Sequence, residues 1–306
     1  MAHLFGPVPS RRLGRSLGVD LIPSKTCPYN CIYCEVGPTT HQTARRFSYQ
    51  TGKIIGELES LLGDLSQPPD VITLAGSGEP TLNLGLGRII RTIKEMSEIP
   101  VAVLTNGALL YLPEVRQELA AADMVLPSLD AAREETYQFI NRPLPELPLA
   151  SLLEGLNAFR RDYKGQIWLE VMLLAGLNDT EEELTLLQRA LAKIEPDKIQ
   201  LNTAVRPVVE ASARPLNQAE MAGAAIFLGG PVEVIASFNR VDIAELPCQD
   251  EDIVEMLSRR PMTAADMAKA LGVPLVQMVA RLKCLQDAGR ISHDHYHDQE
   301  FYRHDN

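Results

Sequence analysis

The chain has 306 residues, 45% of them hydrophobic, with 40 acidic against 29 basic side chains and a formal charge of -11. That length suits one large domain with a sizeable core plus a small one, and the acidic balance argues against strong non-specific affinity for polyanions. Five cysteines are an odd number for a disulfide framework, residues 1–9 lack the charged start and apolar run of a secretion signal, and no apolar stretch approaches eighteen residues; a cytoplasmic, soluble chain without membrane contact is expected.

In chain order, residues 9–18 gather Arg11, Arg12 and Arg15 among glycines, and residues 18–22 read as a first strand. The loop after it holds Cys27-Pro-Tyr-Asn-Cys31-Ile-Tyr-Cys34, with Arg45 and Arg46 beyond. Soft thiolates at this density select zinc, copper or an iron-sulfur cluster. A cubane cluster usually takes four protein ligands, so three would leave one iron open to chemistry. The competing reading is a structural zinc site completed by His41, although zinc ligands normally come as two pairs and this loop has one triplet. The flanking arginines suit a phosphate or carboxylate as well as they suit a solvated turn.

Residues 51–65 place Ile54, Ile55, Leu58, Leu61, Leu62 and Leu65 on one helical face. Strands are then expected at 70–75, 101–105, 124–129, 167–173 and 198–201, alternating with helices at 85–96, 112–122, 149–161, 180–194 and 217–228. Short apolar strands separated by amphipathic helices indicate an α/β fold of β/α units around a parallel sheet.

In parallel barrels the chemistry sits at the carboxyl ends of the strands. One such end carries Gly76-Ser77-Gly78-Glu79-Pro80-Thr81, where glycine lets backbone approach a ligand and Glu79 can accept from an ammonium group or start a helix. Thr105 and Asn106, then Ser128 and Asp130, offer short polar groups that fit ribose hydroxyls or cap helices. Asn141, Arg142, Glu170, Gln200, Asn202 and Arg206 are further polar groups that face substrate or satisfy the barrel, and residues 203–215 form a loop long enough to act as a lid.

A last strand at 232–236 and an acid-rich linker at 242–252, containing Cys248, divide the chain into domains 1–245 and 250–306. The second domain reads as helices at 252–258, at 263–271 capped by Thr263, and at 275–287 with Leu275, Met278, Val279, Leu282 and Leu285 facing inward. Extended runs at 290–293 and 300–303 flank a turn, and the whole resembles a winged helix-turn-helix. Such domains commonly dock a helix in a DNA groove. Here Arg281 and Lys283 make a thin basic face, so peptide, protein or RNA docking fits equally. His293, His295 and His297 read as solvated rather than as ligands, and Cys248 and Cys284 as inert.

With Tyr33 one residue before the last cysteine, the triplet, the glycine-glutamate loop and the polar strand ends together resemble the radical S-adenosylmethionine superfamily, over roughly residues 17–235. The resemblance implies a partial (β/α)6 barrel followed by the small winged helix-turn-helix domain. It implies that Cys27, Cys31 and Cys34 hold three irons of a 4Fe-4S cluster, and that Tyr33, Gly78, Glu79, Thr105, Asn106, Ser128 and Asp130 line the pocket for S-adenosylmethionine. It further implies reductive cleavage of that cofactor to a 5'-deoxyadenosyl radical that abstracts hydrogen, with electrons from a reductant protein such as flavodoxin or ferredoxin. Within the superfamily the opening is most similar to wybutosine-synthase-like Fe-S oxidoreductases. RNA, a peptide or protein, or a small anionic molecule is the expected substrate. The alternative class is an iron-sulfur redox sensor that binds DNA through its second domain.

Overall fold

The computed structural model describes residues 3–10, 12–64, 68–236, 250–296 and 299–304. It opens with a hairpin, β1 (Leu4–Ser10) and β2 (Gly14–Asp20), which carries into short β3 (Thr26–Cys27) and β4 (His41–Gln42). Then follow α1 (Thr51–Asp64), β5 (Val71–Ala75), α2 (Leu86–Met96), β6 (Val101–Thr105), α3 (Pro113–Leu119), β7 (Met124–Pro127), α4 (Glu134–Asn141) and α5 (Leu149–Asp162). The series continues through β8 (Gln166–Leu173), α6 (Glu181–Ile194), β9 (Lys198–Thr203), α7 (Gln218–Leu228) and β10 (Val232–Val234).

The main sheet runs β1-β2-β5-β6-β7-β8-β9-β10 without closing on itself. Every pair from β2 to β10 is parallel and only β1 is antiparallel. Its strands are apolar runs such as Val71–Ala75 because helices cover one face and the barrel interior the other. The helices turn one stripe inward: Ile54 and Leu58 of α1 and Ile89, Ile90 and Ile93 of α2 have no exposed surface. Each such side chain contributes about 1.5–3 kcal/mol. Helix starts are capped as their sequences dictate, with Thr180 accepting from the Glu183 amide and Asn217 forming a capping box with Glu220.

Two elements differ from expectation. The first parallel strand is β2, Gly14–Asp20, so Leu21 and Ile22 belong to the loop, and β1 adds an edge strand that Pro7 and Pro9 disguise, since an edge tolerates proline. Helix α4 was unread because only Tyr137, Ile140 and Asn141 of its eight residues are buried.

The remaining elements are α8 (Asp250–Arg259), α9 (Ala264–Ala270), α10 (Leu275–Asp287) and an antiparallel hairpin of β11 (Ile291–Tyr296) and β12 (Gln299–His304). This is the element order expected for the second domain. They enclose a core of their own around Ile253, Leu257, Met267, Met278, Leu282 and Tyr302. Leu275 and Val279, expected inside, are 50% and 46% exposed: Met278, Leu282 and Leu285 already fill the narrow stripe that α10 turns inward. His295, expected in the turn, lies in β11 together with His293. His297, Cys248, Leu65, Arg11 and most of the expected linker lie outside the described residues, and Cys284 is exposed on α10. No described helix is long and apolar enough to cross a membrane.

Candidate cluster and cofactor site

The three cysteines lie in the loop between β2 and α1, at the carboxyl end of the sheet. Cys27 is fixed by the β3–β4 pairing, and a turn in which the Cys34 amide donates 3.2 Å to the Cys31 carbonyl sets the last two. Burial is the main cause that pushes all three thiols up, and neighbouring carboxylates and thiols push further: Glu79 and Cys34 act on Cys27, and Cys27 on Cys31. Burial thus favours the neutral thiols, and a bound cation would be needed to hold all three as thiolates.

Ligands of a tetrahedral zinc at 2.3 Å lie about 3.8 Å apart. Among the described residues, the three sulfurs do not all come within 4.8 Å of one another, with or without His41, which is exposed on β4. Three soft thiols in one compact triplet, without the second ligand pair usual for structural zinc, fit an iron-sulfur group.

Two hydrogen-bonded arms hold the loop from the barrel. In the first, Glu79 is 2% exposed and its Oε1 accepts from Thr81 N at 3.1 Å, Thr81 Oγ1 at 2.6 Å and Thr105 Oγ1 at 2.6 Å. Its Oε2 accepts only from Asn106 N, at 2.8 Å, leaving room for a further donor such as an ammonium group. Burial raises this carboxyl, outweighing the hydrogen bonds from Thr105, Thr81 and Asn106. Asn106 then reaches the loop, its Nδ2 donating 3.3 Å to Cys27 Sγ. A Cβ on Gly78 would collide with Ile22 and with the Thr26 carbonyl, so the glycine brings this loop closely against the cysteine loop. Gly78→Ala is expected to cost about 1–3 kcal/mol, read by urea denaturation, because the obstructing Thr26 oxygen is backbone.

In the second arm Asp130, 3% exposed, accepts from Tyr33 Oη at 2.5 Å, Asn141 Nδ2 at 2.6 Å and Met172 N at 2.9 Å. Asn141 also lies 3.6 Å from Cys31 Sγ, and its Oδ1 is a buried acceptor with no partner among the described residues. Sequence reasoning ranked Asn141 low, and nothing local to it carries the signal. Ser128 is half-buried and joins neither arm; its backbone bridges to Glu170. Arg46, for which an anion site and a solvated turn were equally open, donates to the Thr81 and Asn83 carbonyls and pairs with Glu118.

Beside Tyr33 and Cys34 opens a cavity of about 440 Å³. Arg12, Glu170 and Asn202 line its barrel side, with Arg12 Nη1 at 2.5 Å from Glu170 Oε2 and Asn202 Nδ2 at 2.9 Å from Glu170 Oε1. Arg206 pairs with Glu35 at 2.9 Å from the long loop after β9. Met256, Arg259, Arg260 and Met262 complete the wall from α8 and the turn after it. Arg259 pairs with Asp20, at the end of β2, and lies 4.1 Å over the Phe5 ring. Asp20 was missed, although it ends the first parallel strand.

The sequence profile of the Radical SAM superfamily matches residues 21–187. The chain belongs to the radical SAM superfamily. Members use a 4Fe-4S cluster and S-adenosylmethionine and generally need a reductant, so the protein is a radical SAM enzyme with those two cofactors. Over 295 residues it is 40% identical to a protein of Brachyspira hyodysenteriae named GTPase Obg, covering 94% of this chain but only 43% of that one. No Gly-x4-Gly-Lys-Ser/Thr phosphate loop occurs here, so that name carries nothing over. A UPF0026 protein of Methanocaldococcus jannaschii is 39% identical over 70% of this chain and 67% of its own length. Among solved structures, TYW1 with a lysine-pyruvate adduct bound superposes with a TM-score of 0.52 at 20% identity, over 73% of this chain and 75% of that one, a likeness of fold.

Proposed function

We propose that Cys27, Cys31 and Cys34 ligate three irons of the cluster and that Tyr33, Gly78, Glu79, Thr105, Asn106, Ser128 and Asp130 form the wall against which S-adenosylmethionine binds. The observation that carries this is the convergence of both arms on the thiol triplet, Asn106 on Cys27 and Asn141 on Cys31. When bound and reduced, the cluster supplies an electron that cleaves S-adenosylmethionine to methionine and a 5'-deoxyadenosyl radical, which removes hydrogen from substrate. Within the chain, Glu79 Oε2 accepts from the cofactor's ammonium group, Asn106 holds Cys27, and the Tyr33–Asp130–Asn141 arm holds Cys31 in place.

The reading extends to two units, 1–245 and 250–306, supported by their separate cores, to a cytoplasmic setting, and to a reductant protein such as flavodoxin or ferredoxin. A small anionic substrate is favoured over RNA because the cavity, open on one side, is lined by arginines at 12, 206, 259 and 260, whose pairing with Glu170, Glu35 and Asp20 an anion would replace. A DNA-binding sensor is disfavoured, since the exposed face of α10 presents Leu275 and Val279.

Anaerobic reconstitution with iron and sulfide, then dithionite and S-adenosylmethionine, tests the proposal by chromatography. Wild type is expected to release 5'-deoxyadenosine, and Cys31→Ala none, with its absorbance near 400 nm reduced to background. Equal turnover by Cys31→Ala would sink the assignment.

A further inference from the structure

We propose that the β11–β12 hairpin binds one borderline divalent ion, of the Zn2+ type, through His293, His295 and Glu300. Side chains alternate along a strand, so His293 and His295 share one face of β11. The antiparallel register sets Glu300 of β12 opposite His295, and Tyr302 opposite His293. One donor atom from each of the three residues lies within 4.8 Å of the other two. A tetrahedral ion at about 2.0–2.1 Å from nitrogen and oxygen needs ligands about 3.4 Å apart, so closure takes at most about 1.4 Å, within reach of side-chain rotation. His293 Nε2 and Glu300 Oε1 already stand 3.3 Å apart.

The ligands are also oriented from behind. Tyr302 Oη donates 2.8 Å to Glu300 Oε2, which leaves Oε1 toward the histidines. Gln286 amide Nε2 of α10 contacts His293 Nδ1, which points the ring Nε2 into the site. When that amide is turned to present its oxygen, it fixes the tautomer that a metal-binding imidazole requires. Two imidazoles and one carboxylate select Zn2+, Ni2+ or Cu2+ over Mg2+ and Ca2+. All three residues are exposed, so an ion reaches them without opening the core and keeps water at the fourth position. The bound ion joins the two strands of the hairpin. The site stands apart from the cysteine loop and does not depend on the function proposed above.

Calorimetric titration of the full-length, cluster-loaded protein with ZnCl2 tests it, the cluster keeping the barrel thiolates occupied. Wild type is expected to take up one more equivalent than His293→Gln/His295→Gln, at micromolar affinity. Glu300→Gln is expected to bind at least about tenfold more weakly, and Tyr302→Phe, which keeps its ring in the core, about tenfold more weakly through lost orientation. The substituted positions are on the surface or conservative, and unchanged circular dichroism certifies the fold. Equal zinc uptake by wild type and the double variant overturns the proposal, as does MgCl2 binding as tightly as ZnCl2.

Discussion

Glu79→Ala is expected to destabilise the cluster-free protein by about 3–5 kcal/mol and to abolish 5'-deoxyadenosine formation. The carboxylate takes hydrogen bonds from two hydroxyls and two backbone amides in a site without water access. The hydroxyls of Thr81 and Thr105 can turn elsewhere, but the amides of Thr81 and Asn106 cannot. Each amide left unpaired costs about 1–3 kcal/mol, partly offset by no longer burying a charge. Loss of the Asn106 anchor also releases Cys27, so cluster content should fall in the same variant. Glu79→Gln retains shape and one acceptor and should be milder on both counts. Urea denaturation of the cluster-free proteins and iron analysis of the reconstituted ones check this; a Glu79→Ala midpoint equal to wild type would mean that the carboxylate anchors nothing.

The second large effect is on pH dependence. Burial pushes the Asp130 carboxyl from 3.8 to about 6, against the hydrogen bonds from Tyr33, Asn141 and Met172. The folded state therefore holds this proton more tightly than the unfolded chain does. The stability so gained is fully present below pH 3.8 and is lost as pH rises through about 6. A shift of roughly two units corresponds to about 3 kcal/mol. Between pH 3.5 and 7.5, Asp130→Asn should gain on wild type by up to that amount, measured on the cluster-free proteins. The raised carboxyls of Glu79 and Asp20 are common to both and cancel in the difference. Parallel stability curves would show that Asp130 does not titrate as its burial dictates.

Much of this architecture is legible from residue order because both-face burial turns strands such as Val101–Thr105 into unbroken apolar runs, while helices keep a periodic stripe. Legibility fails where burial is partial. The edge strand β1 accepts prolines, α4 buries three residues of eight, and the apolar stripe of α10 is wider than the core it meets. In the site, the thiols, Glu79, Thr105 and Asp130 stood out because chemistry concentrates polar groups at strand ends. Asn141 and Asp20 did not, because their partners are chosen by tertiary contact: Asn141 meets Cys31 across 110 positions, and Asp20 meets Arg259 across 239. The close approach of Gly78 to Ile22 and Thr26 is likewise set by tertiary contact.

The same long separations govern the order in which the protein can be assembled. The anchors of the cysteine loop follow it by 79, 97 and 110 residues, at Asn106, Asp130 and Asn141. A growing chain therefore carries three unshielded thiols well before it has made the strands that position them. Contacts this distant in sequence form late and slowly. The anchored form of the loop accordingly exists only once the strands and helix that carry Asn106, Asp130 and Asn141 are in place.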